Sequence, residues 1–433
     1  MKPRKIAILG GGLTGLTTTF YLARKGYQVT VFEKEEVLGG LVAGFKQKNW
    51  DWYLEKTVHH LFANDGDILS FAKEIGFNKV FFKSPETASL FSDLTIHPMD
   101  TPIDFLKLPY LGLFNKFRAG AVLAFLKLSP FFPFYEKTTS EEFLKKTMGK
   151  KTWNKLWQEL FRGKFGIYAG NILASFIWAR IKKRTKKLGY IEGGFQALID
   201  YLVNQLTSLR VNVLTGYEIR EIKKRGEKYL INNQLFDAVI STLPTPVLIK
   251  IGENIFPKNY LSRLKKIKYL HSLSLVLETD QPILKKTYWL NINTKEIPIM
   301  GIFQQTNFVD KKYYGGKHVT YIGWYVDDES EKLRMSNEEL LKFVTPYLLK
   351  IFNFQFSIFK NNVTNFQQQI SNFYVFKSQY AQPIFNKEFL KNKPDFKTPL
   401  NNFFIANLDM TYPYDRGTNY AVKLGKEVSK FIR

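Results

Sequence analysis

The 433-residue chain contains no cysteine. That absence excludes disulfides, thiolate nucleophiles, cysteine-held zinc or iron–sulfur clusters, and electron relay through a thiol pair. It agrees with a reducing compartment. Histidine is scarce, with five, and neither HExxH nor a calcium-binding loop occurs, so no metal is expected. No stretch reaches the roughly 18 uncharged apolar residues of a membrane span. Acid is in short supply: 38 Asp and Glu against 63 Lys and Arg leave a formal charge of +25. Such a balance invites a nucleic-acid reading. Only 13 of the 63 cations are Arg, however, the lysines spread along the whole chain, and no nucleic-acid module is present, so no nucleic-acid partner is expected. Attraction to anionic lipid or to a phosphorylated substrate suits the charge better.

What is present is a chain for a packed protein, 45% hydrophobic and 16% aromatic. Residues 4–10 read as a strand buried on both faces, Thr14 to Gly26 as a helix, and residues 28–33 as the next strand. This strand–helix–strand unit opens a doubly wound sheet. The basic start Met1–Lys5 followed by an apolar run imitates a targeting leader, but Gly10-Gly11-Gly12 interrupts the run. The expectation is a cytoplasmic protein, with peripheral contact at the inner membrane face left open.

The same pattern returns twice. Gly193-Gly194 precedes an amphipathic helix carrying Phe195, Leu198, Ile199, Leu202 and Leu206, followed by strands at 211–214 and 238–241. Near the end, residues 403–406 form a short strand, and a last helix runs from Thr418 to about Ile432. The expected organisation is therefore α/β. A discontinuous Rossmann-like dinucleotide-binding domain comes from residues 1–75, 188–245 and 396–433. A mostly helical substrate or cap region occupies 76–187, and an antiparallel-sheet substrate domain occupies 246–395.

Gly10-x-Gly12-x-x-Gly15 lies after a strand and opens a helix, the context that gives this spacing its meaning. Gly10 makes the tight turn, Gly12 lets a pyrophosphate approach the backbone, and Gly15 lets the helix pack on the strand. The helix N-terminus offers free N–H groups to phosphate, with Leu13 and Thr14 as further contacts. Glu33 ends the second strand, where a carboxylate can accept from both ribose hydroxyls and repels a 2′-phosphate; Lys34 follows it. Gly39-Gly40 marks a second close backbone approach.

Together with the late Gly417 and its helix, these motifs resemble the flavin amine oxidase superfamily. Within it the chain is similar to the bacterial protoporphyrinogen-oxidase-like and UDP-galactopyranose-mutase-like branch. The similar segments include GGGLTGL…FEKEEVLGG, HHLFAND, FRGKFG…WARI, GYIEGGFQALI and ANLDMTYPYDRGTNYAVKLG, and they span nearly the whole chain. The resemblance implies non-covalent FAD. Gly10, Gly12, Gly15 and Glu33 would hold its ADP half, Gly39 and Gly40 would lie along the pyrophosphate and ribityl chain, and Ile219 would face the adenine. Gly417 and Thr418 would set a helix N-terminus against the flavin pyrimidine edge. Two positions depart from the pattern: Val37 stands where many relatives have Arg, and Leu408 where many carry an acid. The ribityl contact then falls to Asn407, Asp409 or Asp415.

The resemblance also implies a reacting face. His60, more than His59, matches a histidine that approaches the flavin, where a pKa near working pH would let it handle a proton. Lys164 and Arg180 match cations that meet a diphosphate; alternatively Arg180 begins the basic run through Lys187. Residues 104–134 read either as a segment dipping into anionic lipid to admit an amphipathic substrate or as an amphipathic helical cap over the active site. Tyr380, Tyr412, Tyr414 and the pair Tyr288-Trp289 read as cleft aromatics or core. Three functions follow: an FAD-dependent oxidoreductase moving hydride from a substrate C–H or C–N bond to flavin N5, a non-redox mutase on a nucleotide- or lipid-linked sugar, or a flavin protein without catalysis. A small anionic or amphipathic molecule is the expected substrate, and the residues set no oligomeric state.

Overall fold

A computed structural model describes residues 4–356 and 363–432. Its first sheet has five parallel strands, in the spatial order Asn212–Leu214, Gln28–Phe32, Lys5–Leu9, Ala238–Ser241, Phe403–Ile405. Ile6, Ala7, Ile8 and Leu9 have no exposed surface, because helices cover one face of the sheet and a small three-stranded meander (residues 222–236) with its neighbours covers the other. Parallel sheets need this double cover, which is why the sequence here lacks polar alternation. Three distant chain segments thus complete one sheet.

The second sheet has seven strands, ordered Ile370–Pro383, Tyr269–Thr279, His318–Val326, Gly301–Gln304, Thr287–Ile292, Glu86–Leu90, Ile96–Pro98. Neighbours run antiparallel except Thr287–Ile292 beside Glu86–Leu90. The second strand in this order, Tyr269–Thr279, is buried throughout. Leu273, Leu275 and Leu277 point into one apolar cluster with the helix Asn337–Phe356, while Ser272, Ser274 and Val276 face the first domain. Period-two alternation thus separates a greasy face from a small, partly polar one.

Two regions hold elements beyond the sequence expectation, and one helix ends earlier. The stretch 76–187 is mostly helical but opens with strands Val80–Lys83, Glu86–Leu90 and Ile96–Pro98, two of which join the large sheet. Residues 246–395 include helices Lys258–Leu264 and Asn337–Phe356 beside their strands. The last helix stops at Val428, because the chain turns to seat Phe431 against Phe396 and Phe404. No helix among the described residues is long and apolar enough to cross a membrane.

The first helix (Leu13–Arg24) and the last (Thr418–Val428) lie side by side at a contact that only glycine permits. A Cβ on Gly425 would come 2.7 Å from the Thr14 carbonyl oxygen and 2.8 Å from the Thr17 Cβ. Gly425→Ala therefore has to part the two helices, and the denaturation midpoint should fall by an amount equivalent to about 1–3 kcal/mol. An unchanged midpoint would show that the helices are not packed this closely.

Candidate active site

A single elongated cavity of about 1430 Å³ runs from the edge of the parallel sheet to the face of the seven-stranded sheet. At its first end two glycine loops meet backbone to backbone. Gly12 and Gly39 pair as an isolated parallel bridge, and the Gly39 N–H donates to the Gly11 carbonyl at 2.9 Å. Gly39 and Gly40 sit at φ of +122° and +59°, the left-handed region that side chains resist. A Cβ on Gly40 would come 3.1 Å from the Gly12 Cα. Glu33 is fixed between the loops: one carboxylate oxygen accepts the Gly11 N–H at 2.7 Å and the other the Glu35 N–H at 3.0 Å. Leu13, Thr14, Lys34 and Ile219 line the same end. Ile219 arrives because the Tyr217 N–H donates to the Glu33 carbonyl at 2.8 Å, tying its loop to the second strand.

At the other end the floor is a row set by strand register. Phe376, Ser274, Gly323, Gly301 and Asn291 lie abreast across five strands, and all line the cavity. The next row carries Tyr321, Phe303 and Trp289. Three small residues flanked by aromatics make a trough with a smooth bottom and apolar walls. Ser274, Gly301 and Gly323 had no signal in local sequence, since only pairing across strands brings them together.

Beside the trough lies a cluster of cations. Lys164 donates to Asp415 at 2.5 Å, with both side chains mostly buried. Arg180 and Arg184 each stand 5.6 Å from the Trp289 ring centroid. Lys183 faces Tyr414 and Tyr420, which stack at 4.9 Å, and Arg416 donates to the Tyr325 hydroxyl. Burial pushes Lys164 down to about 8, with Arg180 adding to the effect and Asp415 opposing it. Burial also lowers Arg180, and it takes Arg184 to about 10. For Asp415, burial favours the neutral acid, but Lys164, Arg180 and Arg416 outweigh it and hold the carboxyl below its usual range.

The two histidines line this end, His60 with Nδ1 3.3 Å from the Tyr288 hydroxyl and His59 with Nδ1 2.6 Å from the Thr57 carbonyl. A pKa near working pH does not survive for His60. Burial, then Arg184 and Arg180, push it down to about 3, so the ring is neutral throughout the physiological range.

Among the other predicted residues, Gly417 and Thr418 reach the cavity at the uncapped N-terminus of the last helix. Gly15 does not line it and serves packing, since a Cβ there would meet the Gly10 carbonyl oxygen. Asp409 does not reach it either. Its carboxylate accepts from Thr245 at 2.5 Å and Tyr269 at 2.6 Å, and burial raises its pKa to about 6. Asn407 lines the cavity, but its amide already bonds Leu243, Thr245 and the Asp409 N–H. Tyr380 and Tyr414 line the wall, whereas the Tyr412 hydroxyl donates to Glu136. No group of His, Asp and Glu among the described residues could hold a metal.

Residues 13–430 match the family model of flavin containing amine oxidoreductases. The chain belongs to that family. This flavin oxidoreductase is 22% identical to the 15-cis-phytoene desaturase of Glycine max over all of its own length and 80% of the soybean enzyme. Its fold superposes on a protein of Exiguobacterium, provisionally assigned as a protoporphyrinogen oxidase, with a TM-score of 0.73 and 17% identity, covering 100% and 99% of the two chains. Reduced UDP-galactopyranose mutase gives a TM-score of 0.72 at 14% identity, covering 99% of this chain and 95% of the mutase. An FAD-dependent oxidoreductase-type enzyme is therefore at hand, and its cavity fits the cofactor. Bare glycine backbone, a carboxylate and an uncapped helix N-terminus stand at one end, with a second uncapped helix N-terminus and aromatic walls at the other.

Gly12 allows a clean test, because its φ is −73° and a Cβ there would meet nothing closer than 3.8 Å. Gly12→Asp should fold normally and lose bound flavin, read as the visible absorbance of the purified protein. Flavin content equal to wild type would mean the dinucleotide end is misassigned.

Proposed function

We propose that this flavoenzyme removes a hydride from a C–H or C–N bond of a flat, amphipathic substrate that carries an acid group. FAD, bound without a covalent link, supplies the two-electron acceptor at flavin N5. The trough carries the reading: a small-residue floor between aromatic walls suits a planar or extended apolar body, and the adjacent Arg180 and Arg184 suit an anion. The related desaturase and oxidase are both named for removal of hydrogen, which agrees with this direction.

The chain's own residues have separable tasks. Arg180 and Arg184, steadied by Trp289, bind the acid group in a site where desolvation strengthens the contact. Lys164 adds a cation whose charge depends on pH, and Asp415 positions it. Phe303, Trp289 and Tyr325 exclude water. His60 is neutral, and with Nδ1 engaged at Tyr288 it has only its other ring nitrogen to offer the substrate. The N-terminus at Gly417–Thr418 turns a positive dipole end toward the cavity, favouring negative charge there.

The same cations favour a second reading, a non-redox mutase acting on a nucleotide- or lipid-linked sugar, because paired cations also suit a diphosphate. The anaerobic visible spectrum, titrated with protoporphyrinogen and separately with UDP-galactopyranose, separates the two. Bleaching by protoporphyrinogen is the expected result. Absence of bleaching, with a sugar product formed only after dithionite reduction, would place the protein with the mutases.

Two further outcomes follow for whichever substrate turns over. Lys164 is cationic below about 8 and neutral above it, so KM for an anionic substrate should rise as pH passes through that value. Lys164→Met should give a high KM without that step; a step of equal size in the variant would exclude Lys164 as its source. Gly323→Val places its Cβ no closer than 3.6 Å to any neighbour yet fills the trough. It should raise KM about tenfold or more at unchanged flavin content, and an unaltered KM would place the substrate elsewhere.

A further inference from the structure

Helix Leu113–Leu128 is apolar on both sides. Its inner face packs Ala119 and Leu126 into the helical core with Leu144, Ile177 and Trp178. Its outer face carries Phe114, Phe117, Ala121, Phe125 and Leu128. Spacings of three, four, four and three residues put these on a single stripe along its whole length, about 24 Å. Phe114 is 75% exposed, Phe117 66% and Leu128 79%. The short helix Pro102–Lys107 extends the patch with exposed Ile103 and Leu106, and Lys116 joins the two helices by donating to the Leu106 carbonyl at 2.6 Å. None of these residues lines the cavity. An outward stripe this long has no use in a chain surrounded by water.

The exposed charge on the two helices is positive; their one acid, Asp104, is half-buried and bonded to Thr101 at the start of the shorter helix. Lys107, Arg118 and Lys127 are exposed on the same two helices. The far end of the stripe is latched to the basic segment 182–187: Lys127 donates to the Lys182 and Arg184 carbonyls, and Lys182 donates back to the Leu128 and Ser129 carbonyls. Lys186 and Lys187 project beside them, exposed. The segment also lines the cavity through Lys183 and Arg184.

We propose that the stripe from Ile103 to Leu128 lies in the interface of an anionic lipid bilayer, with the basic segment 182–187 against the headgroups. Apolar side chains enter the headgroup–acyl boundary, the lysines neutralise lipid charge, and the helix stays parallel to the surface. Docked this way, the cationic end of the cavity adjoins the membrane, where an amphipathic acid would be concentrated. The proposal stands whether or not the hydride-transfer reading does.

Vesicle co-sedimentation of the full flavin-loaded chain tests it, with phosphatidylcholine alone and with roughly 30% phosphatidylglycerol at about 0.1 M salt. Sedimentation with the anionic vesicles is expected. Phe114→Ser/Phe117→Ser/Leu128→Ser should reduce it at least about tenfold, with flavin spectrum and melting temperature retained. Lys186→Gln/Lys187→Gln should weaken it and flatten its salt dependence. Failure of the wild type to sediment would overturn the proposal, as would equal binding by the triple-serine variant. A wild-type dimer that the triple-serine variant turns into monomer, without lipid binding by either, would also overturn it and assign the stripe to self-association.

Discussion

The rest of the structure depends on a seam where backbone touches backbone. The Gly10–Gly15 turn and the Gly39–Gly40 turn lie close enough to exchange a hydrogen bond, and Glu33 is pinned between them by two N–H groups. A side chain at Gly40 would press on Gly12 of the facing loop, and one at Gly39 would crowd Ala43 within its own turn. Because the seam holds, the first helix starts at the cavity, and because Gly425 admits the last helix against it, a second helix N-terminus points into the same space. Two glycine-lined contacts, the seam and Gly425, therefore bring both helix N-termini to the cavity.

Across the cavity the governing quantity is charge taken out of water. Lys164, Arg180, Lys183, Arg184 and Arg416 share this end with few carboxylates, chiefly Asp415 and Asp65. Aromatic faces compensate some of the desolvation, as Trp289 does for two guanidinium groups. An arrangement of this kind costs folding stability. Its expense makes sense when a ligand brings the missing negative charge and recovers it on binding. Burial, then Arg184 and Arg180, keep His60 neutral, so the positive charge at this end is carried by the arginines and lysines rather than by the imidazole.

The proposed lipid contact joins these two themes. The basic segment 182–187 belongs both to the cavity wall and to the latch under the exposed helix. An anionic surface held by that segment would therefore stand beside the anion-binding end of the trough, and a substrate with an apolar body and an acid head could pass between them without crossing bulk water.

The sequence alone determined what is local. A strand, a glycine turn, a helix and a terminal carboxylate follow one another within about thirty residues, so the lining of that end of the cavity was readable as far as Leu13, Glu33 and Lys34. The later strands and Gly417 were readable because each carries its own pattern. What depends on register or facing was not. Asp409 and Asp415 are the same residue type six positions apart, yet one is buried against Thr245 and the other completes an ion pair in the cavity. His60 could be placed near the site but its protonation could not, because burial, then Arg184 and Arg180 acting through space, set it. Ser274, Gly323 and Gly301 become one floor only when three strands align. The stripe of Phe114, Phe117 and Leu128 has helical spacing whichever way it faces. Only the packing of the opposite side onto the core decided that it faces out, since periodicity fixes which residues share a face and tertiary contacts fix where that face points.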